Sequence, residues 1–230
     1  MTNDVIAIIP ARGGSKGISR KNIVNLAGKP LINWTIDACL QSSFVSRVVV
    51  SSDDKKILEV ASRSGAEPLL RPSRLATDTA LTTPVISHVI SSLEGQLDEV
   101  KYIVLLQPTS PLRTFRHLDA AFVRLKERGA TSLISVSRPA HSPLKAFRSE
   151  GGYLKGLLND KYPFMRRQDL PDTFLANGAI YIVDLNEFKS NPTLLTDRCI
   201  PFEMDSESSL DIDDVNDLEM AESIIFKKLP

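Results

Sequence analysis

Cysteines and long apolar runs are scarce in this sequence, and each shortage excludes a class of protein. Among 230 residues, Cys39 and Cys199 are too few for a disulfide scaffold and too widely spaced for a zinc-binding pair. We expect both to be small buried hydrophobic residues. No segment approaches the ~18 apolar residues of a membrane-spanning helix. Asn3 and Asp4 precede a short apolar run that ends at Pro10, which is not the pattern of a signal peptide. We therefore expect a cytoplasmic protein with no membrane partner.

An excess of positive charge is also missing, because 28 basic residues are balanced by 28 acidic ones. A nucleic-acid-binding protein normally has a net basic balance, so no nucleic-acid partner is expected. The charges are nevertheless unevenly distributed. Val5–Ile36 contains five basic residues and no acid, whereas Cys199–Phe226 contains nine acids and no Lys or Arg. These two segments suit a small anionic ligand that arrives with a metal ion, although two ordinary solvated faces would have the same composition.

Apolar runs alternate with segments of helical period along most of the chain. The runs predict buried strands at 5–9, 47–51, 102–106, 132–136 and 179–183. The alternation of strand and helix predicts an α/β fold, with a mostly parallel sheet and helices on both faces, in one domain spanning residues 1–230.

Capping residues predict where the helices between these strands begin and end. Pro30 suits the first position of one helix, and Ser52 or Asp53 suits the N-cap of the next. Thr114 and Gly129 bracket a third helix. Asp214 suits the N-cap of a C-terminal helix, which is a more ordinary task for it than metal binding.

One segment, residues 137–176, has no sustained period. It contains five aromatic residues among seven basic and four acidic ones. A structureless loop of this length is uncommon inside a compact domain. We therefore predict an inserted, β-rich arm that packs against another surface, such as a second subunit.

The strongest functional signal is the sequence PARGGSKGISRKN at residues 10–22, directly after the first strand. Ligands of open parallel sheets bind beyond the carboxyl ends of the strands. Glycines there let backbone N–H groups approach phosphate oxygens, and Arg and Lys neutralise their charge. The glycine spacing is that of neither a P-loop nor a dinucleotide-binding turn.

Two further segments suggest binding residues at the same edge of the sheet. In LQPTSPLR, residues 106–113, the prolines fix a turn that holds Gln107, Ser110 and Arg113 toward one crevice, although a plain connecting turn has a similar sequence. In an extended segment, Asp211 and Asp213 project to the same side, as ligands of a hydrated divalent cation do. A solvated acidic face remains the alternative for these carboxylates.

Five segments, in order along the chain, resemble those of the acylneuraminate cytidylyltransferases, the CMP-sialic acid synthetases. They are IIPARGGSKG at 8–17 with KN at 21–22, LQPTSPLR at 106–113, HSPLK at 141–145, NGAIYI at 177–182 and LDID at 210–213. The resemblance implies a Rossmann-like nucleotidyltransferase fold and a homodimer whose inserted arm, 137–176, reaches the partner's site. It also implies transfer of CMP from CTP to the anomeric hydroxyl of a nine-carbon α-keto acid sugar, with release of pyrophosphate.

The resemblance also implies a role for individual residues. The CTP phosphates and cytidine would be held by Arg12, Ser15, Lys16, Lys21 and Asn22, with Gly13 and Gly14 allowing close backbone approach and Thr82 near the nucleotide. The sugar acid would contact Gln107, Lys145 and Arg167. Mg²⁺ would be held by Asp211 and Asp213. Catalysis would rest on Arg12, Lys16, Lys21 and Asp211.

One departure from the family pattern bears on the sugar acid. The residues before NGAIYI are Phe174, Leu175 and Ala176, where the sialate enzymes often have Phe-Arg-Pro. An aliphatic residue in place of a basic one suits a less hydroxylated congener such as legionaminate, or else Leu175 only packs the arm. The eight-carbon 3-deoxy-octulosonate, a sugar-1-phosphate or molybdopterin acceptor, and a non-catalytic nucleotide-sugar binder are further alternatives.

Overall fold

The structure is a computed structural model that describes residues 4–228. Its strands are β1 (Val5–Pro10), β2 (Asn25–Leu26), β3 (Lys29–Pro30), β4 (Val45–Ser52), β5 (Glu67–Leu70), β6 (Tyr102–Leu105), β7 (Ser132–Ser137), β8 (Phe147–Glu150), β9 (Tyr153–Gly156), β10 (Leu175–Asp184) and β11 (Cys199–Glu203). Its α-helices are α1 (Leu31–Leu40), α2 (Lys55–Arg63), α3 (Thr82–Ser92), α4 (Phe115–Arg128), α5 (Leu185–Ser190) and α6 (Val215–Lys228).

Seven strands form one central sheet in the order β11-β7-β10-β6-β1-β4-β5. Strand β10 runs antiparallel to β6 and β7, and the other neighbouring pairs are parallel. The prediction of a mostly parallel α/β sheet is confirmed, with β10 as the exception. The parallel strands β1, β4, β5 and β6 end at the same edge of the sheet, and this edge carries the candidate site.

Helices cover both faces of the sheet because the central strands are apolar on both sides. In β1, Ile9 belongs to the cluster that includes α1 and α4 residues, and its neighbour Ile8 belongs to the cluster that includes α3 and α5 residues. A third cluster joins α6 to the N-terminal loop through Ile18, Ile212 and Ile225. Each such fully buried side chain contributes about 1.5–3 kcal/mol. None of the described helices is long and apolar enough to cross a bilayer.

The helix ends agree with the predicted caps with two small differences. Gly129 ends α4 at φ 55°, and the Asp214 carboxylate accepts the backbone N–H of Asn216 at 2.8 Å. Helix α2 is capped by Asp54 rather than by Ser52 or Asp53, because Ser52 Oγ instead accepts the N–H of Asp54 at 3.0 Å. Pro30 lies one residue before α1, at the N-cap position.

Segment 137–176 extends from the end of β7 to the start of β10. It contains the β8–β9 hairpin and three short 3₁₀ turns. Its large apolar side chains are unusually exposed, including Tyr153, Leu154 and Phe164 at 76, 72 and 83%. We call the residues 137–176 the arm from here on.

Candidate functional site

A cleft of about 420 Å³ lies at the carboxyl ends of β1, β5 and β6. This volume is within the usual range for small-molecule sites, which is about 300–1,000 Å³. The cleft brings together most of the residues predicted from the sequence: Arg12, Gly14, Ser15, Lys16, Lys21, Asn22, Thr82, Gln107, Asp211 and Asp213. Gly13, Lys145 and Arg167 do not line it.

The basic loop is held in shape by its own backbone rather than by its cations. The N–H of Gly13 donates to Asp53 Oδ1 at 3.0 Å, and the Asn22 amide donates to the Arg12 carbonyl at 2.9 Å. A side chain at position 13 would begin 2.8 Å from the Asp54 Cβ atom, so the loop needs glycine there to lie against α2. Gly13 therefore allows the loop to pack closely against Asp54, and the side chains of the loop remain available to a ligand.

Two cations of this loop share one carboxylate partner. Asp78 contacts Arg12 through Oδ1 and Lys16 Nζ through Oδ2, the latter at 3.1 Å. Hydrogen bonds from Lys16 and then Arg12 lower the pKa of the Asp78 carboxyl, so it is ionised in the site. All three side chains line the cleft.

Arg71 is a further cation of the cleft and is almost completely buried. Only 5% of it is exposed, its Nε has no hydrogen-bond partner, and its Nη2 lies 4.0 Å from Asp53 Oδ1. Burial lowers the pKa of the Arg71 guanidinium, against the attraction of Asp53 and with the repulsion of Arg12. A buried donor without a partner costs about 1–3 kcal/mol.

The acidic side of the cleft is fixed to the basic side through the backbone. The N–H of Ile212 donates to the Thr109 carbonyl at 2.8 Å, and Lys21 Nζ donates to the Ile212 carbonyl at 2.6 Å. Lys21 Nζ also lies 3.1 Å from Asp213 Oδ1. These bonds hold Asp211 and Asp213 opposite the basic loop, as the extended spacing of the two acids predicts.

The sequence NGAIYI places a bend in β10 beside the predicted sugar-acid residue. Gly178 has φ 77°, and a Cβ atom there would lie 2.5 Å from Gln107 Oε1. Asn177 is buried, accepts from Ser135 Oγ at 2.5 Å and donates to Ser209 Oγ at 2.9 Å. The bend therefore makes room for Gln107 and ties β10 to the segment that leads to Asp211.

Arg113 supports this side of the cleft from inside the protein. It is 1% exposed and donates to Thr35 Oγ1 at 2.7 Å, to the Ala179 carbonyl at 3.3 Å and to the Gln107 carbonyl at 3.5 Å. Burial lowers its pKa to about 10. No carboxylate in the described part of the chain forms an ion pair with it. Arg113 thus braces the loop instead of facing the crevice, contrary to the expectation for it.

Two predicted sugar-acid residues lie outside the cleft, in the arm. Lys145 ends a 3₁₀ turn, and Arg167 lines a separate pocket of about 80 Å³ together with Arg138. Within one chain, therefore, the structure does not bring them to Gln107.

Sequence reasoning did not identify Arg71 and Asp78. Arg71 directly follows β5, and a correct assignment of that strand would have marked it as a residue at the carboxyl edge of the sheet. Asp78 lies in an exposed turn with no periodic neighbours, so its contact with the loop 62 to 66 positions earlier has no local signal.

The two cleft aspartates match the donor set that Mg²⁺ prefers. Asp211 Oδ1 is buried without a hydrogen-bond partner, and burial raises the pKa of this carboxyl. No group of three or more potential metal ligands occurs within residues 4–228. Two carboxylates nevertheless suffice for Mg²⁺, which keeps several waters and is completed by substrate phosphates.

Comparison with known proteins gives a family and several relatives. The family model described as cytidylyltransferase matches residues 6–210. The chain is 36% identical over 231 residues to the N-acylneuraminate cytidylyltransferase of Escherichia coli O18:K1:H7, covering 99% of this chain and 54% of the relative. The chain thus spans about half the length of that relative.

Two relatives match over nearly their whole length. The pseudaminic acid cytidylyltransferase of Campylobacter jejuni is 32% identical over 223 residues, and the CMP-N,N′-diacetyllegionaminic acid synthase of Legionella pneumophila is 34% identical over 229 residues. In both cases 96% of each chain is covered.

Two solved structures share the fold. A CMP:2-keto-3-deoxy-manno-octonic acid synthetase complexed with CTP has a TM-score of 0.72 at 16% identity, with 98% of this chain and 100% of that chain covered. The 4-diphosphocytidyl-2C-methyl-D-erythritol synthase of Anaerococcus prevotii has a TM-score of 0.66 at 10% identity, with the same coverage.

Proposed function

Because the chain belongs to the cytidylyltransferase family, we propose that it transfers CMP from CTP to the anomeric hydroxyl of a nine-carbon α-keto acid sugar and releases pyrophosphate. The observation that carries this proposal is the cleft itself. The cleft brings the basic glycine loop, with Lys21 and Arg71, together with Asp211 and Asp213 at the carboxyl edge of the sheet. A triphosphate fits the first group and a hydrated divalent cation fits the second.

The basic side binds the nucleotide in this proposal. Arg12 and Lys16 neutralise the β- and γ-phosphates, and backbone N–H groups near Gly14 and Ser15 approach phosphate oxygens. Arg71 lines the same cleft and adds a further positive charge beside the nucleotide. Thr82, at the first position of α3, and Asn22 complete the wall around the nucleotide.

The acidic side activates the acceptor. The anomeric oxygen forms a bond to the α-phosphorus, the bond from that phosphorus to the bridging oxygen breaks, and pyrophosphate leaves with its charge held by Arg12, Lys16 and Lys21. Mg²⁺ held by Asp211 and Asp213 supplies further charge neutralisation when bound. The hydroxyl proton passes to a base on the acidic side of the cleft, either Asp211 or a water that it holds.

The identity of the sugar acid is a finer proposal. Relatives named for N-acylneuraminate, pseudaminate and legionaminate match at 36, 32 and 34% identity, so similarity alone does not separate the three acids. Legionaminate is the second candidate because Leu175 replaces a basic residue. Leu175 is half-exposed where β10 meets the arm and does not line the cleft of its own chain.

We further propose that two copies of the chain associate through the arm and that the protein is cytoplasmic. The exposed Tyr153, Leu154 and Phe164 give the arm an apolar surface. An arm that reached the cleft of a second copy would also bring Lys145 and Arg167 to the sugar acid, which explains their place outside their own cleft.

The experiment that tests the function is a pyrophosphate-release assay. The purified protein is incubated with CTP and Mg²⁺ and offered N-acetylneuraminate, diacetyllegionaminate, pseudaminate and 3-deoxy-octulosonate separately. Release with a nine-carbon acid supports the proposal, and the ratio among the three ranks the acceptors. Release only with 3-deoxy-octulosonate moves the assignment to that acid. Folded protein that binds CTP and is silent with all four is a nucleotide binder without this activity.

A further inference from the structure

The carboxylate of Asp78 occupies the part of the cleft that the proposed function gives to phosphate. One of its oxygens contacts Arg12 and the other lies 3.1 Å from Lys16 Nζ. An anionic group that places two oxygens on two cations is what a phosphate would present to the same side chains. Asp78 is the acidic partner of both cations in the ion pairs of residues 4–228.

The turn that carries Asp78 is held by few contacts. Residues 77–80 lie between a short 3₁₀ turn and α3. The turn has one backbone hydrogen bond, from the Ala80 N–H to the Thr77 carbonyl at 3.2 Å, and a long contact between the Thr77 and Thr79 hydroxyls at 3.4 Å. The Asp78 side chain is 49% exposed, and Leu81 beside it is 73% exposed. Exposed ion pairs of this kind are weak, so a highly charged ligand can displace the carboxylate.

We propose that Asp78 is a built-in competitor for the phosphate site, displaced by the triphosphate of CTP and returning to Arg12 and Lys16 as pyrophosphate leaves. This inference rests on the proposed function and adds a regulatory contact to the same site. The lowered pKa of Asp78 agrees with it, because the carboxylate stays ionised and so remains an effective competitor.

The strength of the two Asp78 contacts sets how much they weaken the binding of phosphate ligands. If only a fraction of the molecules have Arg12 and Lys16 free, the apparent dissociation constant for a phosphate ligand is the intrinsic constant divided by that fraction. Two weak surface contacts predict a factor of about three to ten. Removing the carboxylate therefore tightens the binding of phosphate ligands, whereas a carboxylate that merely positioned the two cations would weaken their binding when lost.

The test compares wild-type protein with Asp78→Asn and with the double variant Asp78→Asn/Thr79→Asp. Thr79 is exposed and does not line the cleft, so the double variant keeps the charge of the turn but moves it off the two cations. CTP and pyrophosphate are titrated by calorimetry at constant ionic strength without Mg²⁺, so that no metal contact of residue 78 contributes.

We expect both ligands to bind about three- to tenfold more tightly to Asp78→Asn and to the double variant than to wild type. If Asp78→Asn binds the two ligands as tightly as wild type or more weakly, the proposal that phosphate ligands displace Asp78 is wrong. Tightening that disappears in the double variant also overturns it, because through-space charge would then explain the effect.

The same titrations separate this inference from the function. If wild type binds CTP but the variants bind it no more tightly, the displacement is wrong and the proposed function stands. If wild type binds neither CTP nor pyrophosphate, even when Mg²⁺ is then added, the proposed function is wrong and so is the displacement of Asp78.

Discussion

Burial gives the two carboxylates of the acidic segment different environments. Asp211 is partly buried, and its pKa is raised by burial, against a hydrogen bond from Thr109, and then by the nearby Asp213. Asp213 has a side chain that is 81% exposed and pairs with Lys21. We therefore expect chemistry in the cleft to depend more on Asp211 than on Asp213.

Asp211→Asn is therefore expected to lower kcat/KM for CMP transfer by about a hundredfold or more. The folded protein should be at least as stable as wild type near neutral pH. A raised folded-state pKa means that folding disfavours the ionised carboxyl, and the amide removes that charge. Pyrophosphate release and urea unfolding measure the two effects.

The matched control is Glu219→Gln, which removes an exposed acid of α6 that does not line the cleft. Activity near the wild-type level in Asp211→Asn, or equal loss in both variants, would contradict the assignment.

The two thiols should differ sharply in reactivity. Cys39 is fully buried, and burial raises the pKa of its thiol to about 12, whereas Cys199 is partly exposed at the start of β11. At about pH 8 a disulfide reagent should label one thiol in the folded protein and two in urea, because the thiolate is the reactive form. Labelling of both thiols before unfolding would show that the core around α1 opens.

At the residue scale, prediction from sequence succeeds where a motif follows a buried strand directly. The basic loop follows β1 and Gln107 lies just beyond β6, and both reach the cleft. The sequence does not reveal Arg71 and Asp78, because their importance comes from distant partners. It predicts that Arg113 faces the crevice, whereas the Arg113 guanidinium is buried. A linear pattern identifies which residues can bind a ligand, but tertiary packing decides which of them face it.

At the element scale, the central strands were predictable and the edge strands were not. The interior strands are continuous apolar runs, whereas β5 and β11, at the two edges of the sheet, each contain a proline and exposed positions. Proline is tolerated at an edge, where fewer ladder hydrogen bonds are needed, and it weakens the sequence signal of a strand. The antiparallel direction of β10 could not be predicted from its composition, because a buried apolar run has the same pattern in a parallel and in an antiparallel strand.

The contact between the basic loop and the segment before α6 depends on one small residue. A Cβ atom on Gly17 would lie 2.2 Å from the Asp213 carbonyl oxygen, whereas one on Gly14 would have no neighbour within 4 Å. Gly17→Ala should therefore destabilise the fold by about 1–3 kcal/mol, as overpacking does, and Gly14→Ala should not.

Urea unfolding of the two variants measures this difference. Equal midpoints would mean that the loop can move away from Asp213 without cost. The comparison concerns stability alone, because Gly14 lines the cleft and its substitution can also affect ligand binding.

At the scale of the whole molecule, the arm is the part whose exposed apolar side chains a single chain does not explain. Its lack of period in the sequence corresponds to a short hairpin and 3₁₀ turns instead of long elements. Several apolar residues of the arm stay largely exposed within the described chain, and a second copy is the partner we propose.

Wild-type protein is accordingly expected to sediment at twice the mass of one chain, and Leu154→Glu at the mass of one, because a charge on the 72%-exposed Leu154 would oppose burial between subunits. Val123→Glu is the control, since Val123 is an exposed apolar residue of α4 outside the arm. A wild-type protein that stays at single mass at every concentration, or a control that dissociates as well, would contradict association through the arm.

The bond from Lys21 to the Ile212 carbonyl joins residues 191 positions apart, and this separation sets an order of events during biosynthesis. Ribosomes add about 5–20 residues per second, so Lys21 is synthesised about 10–40 s before Ile212. During that interval a nascent chain has the cations without Asp211 and Asp213. The cleft is therefore completed only after residue 213 has been synthesised, and a prematurely terminated chain that stops before residue 211 lacks both carboxylates.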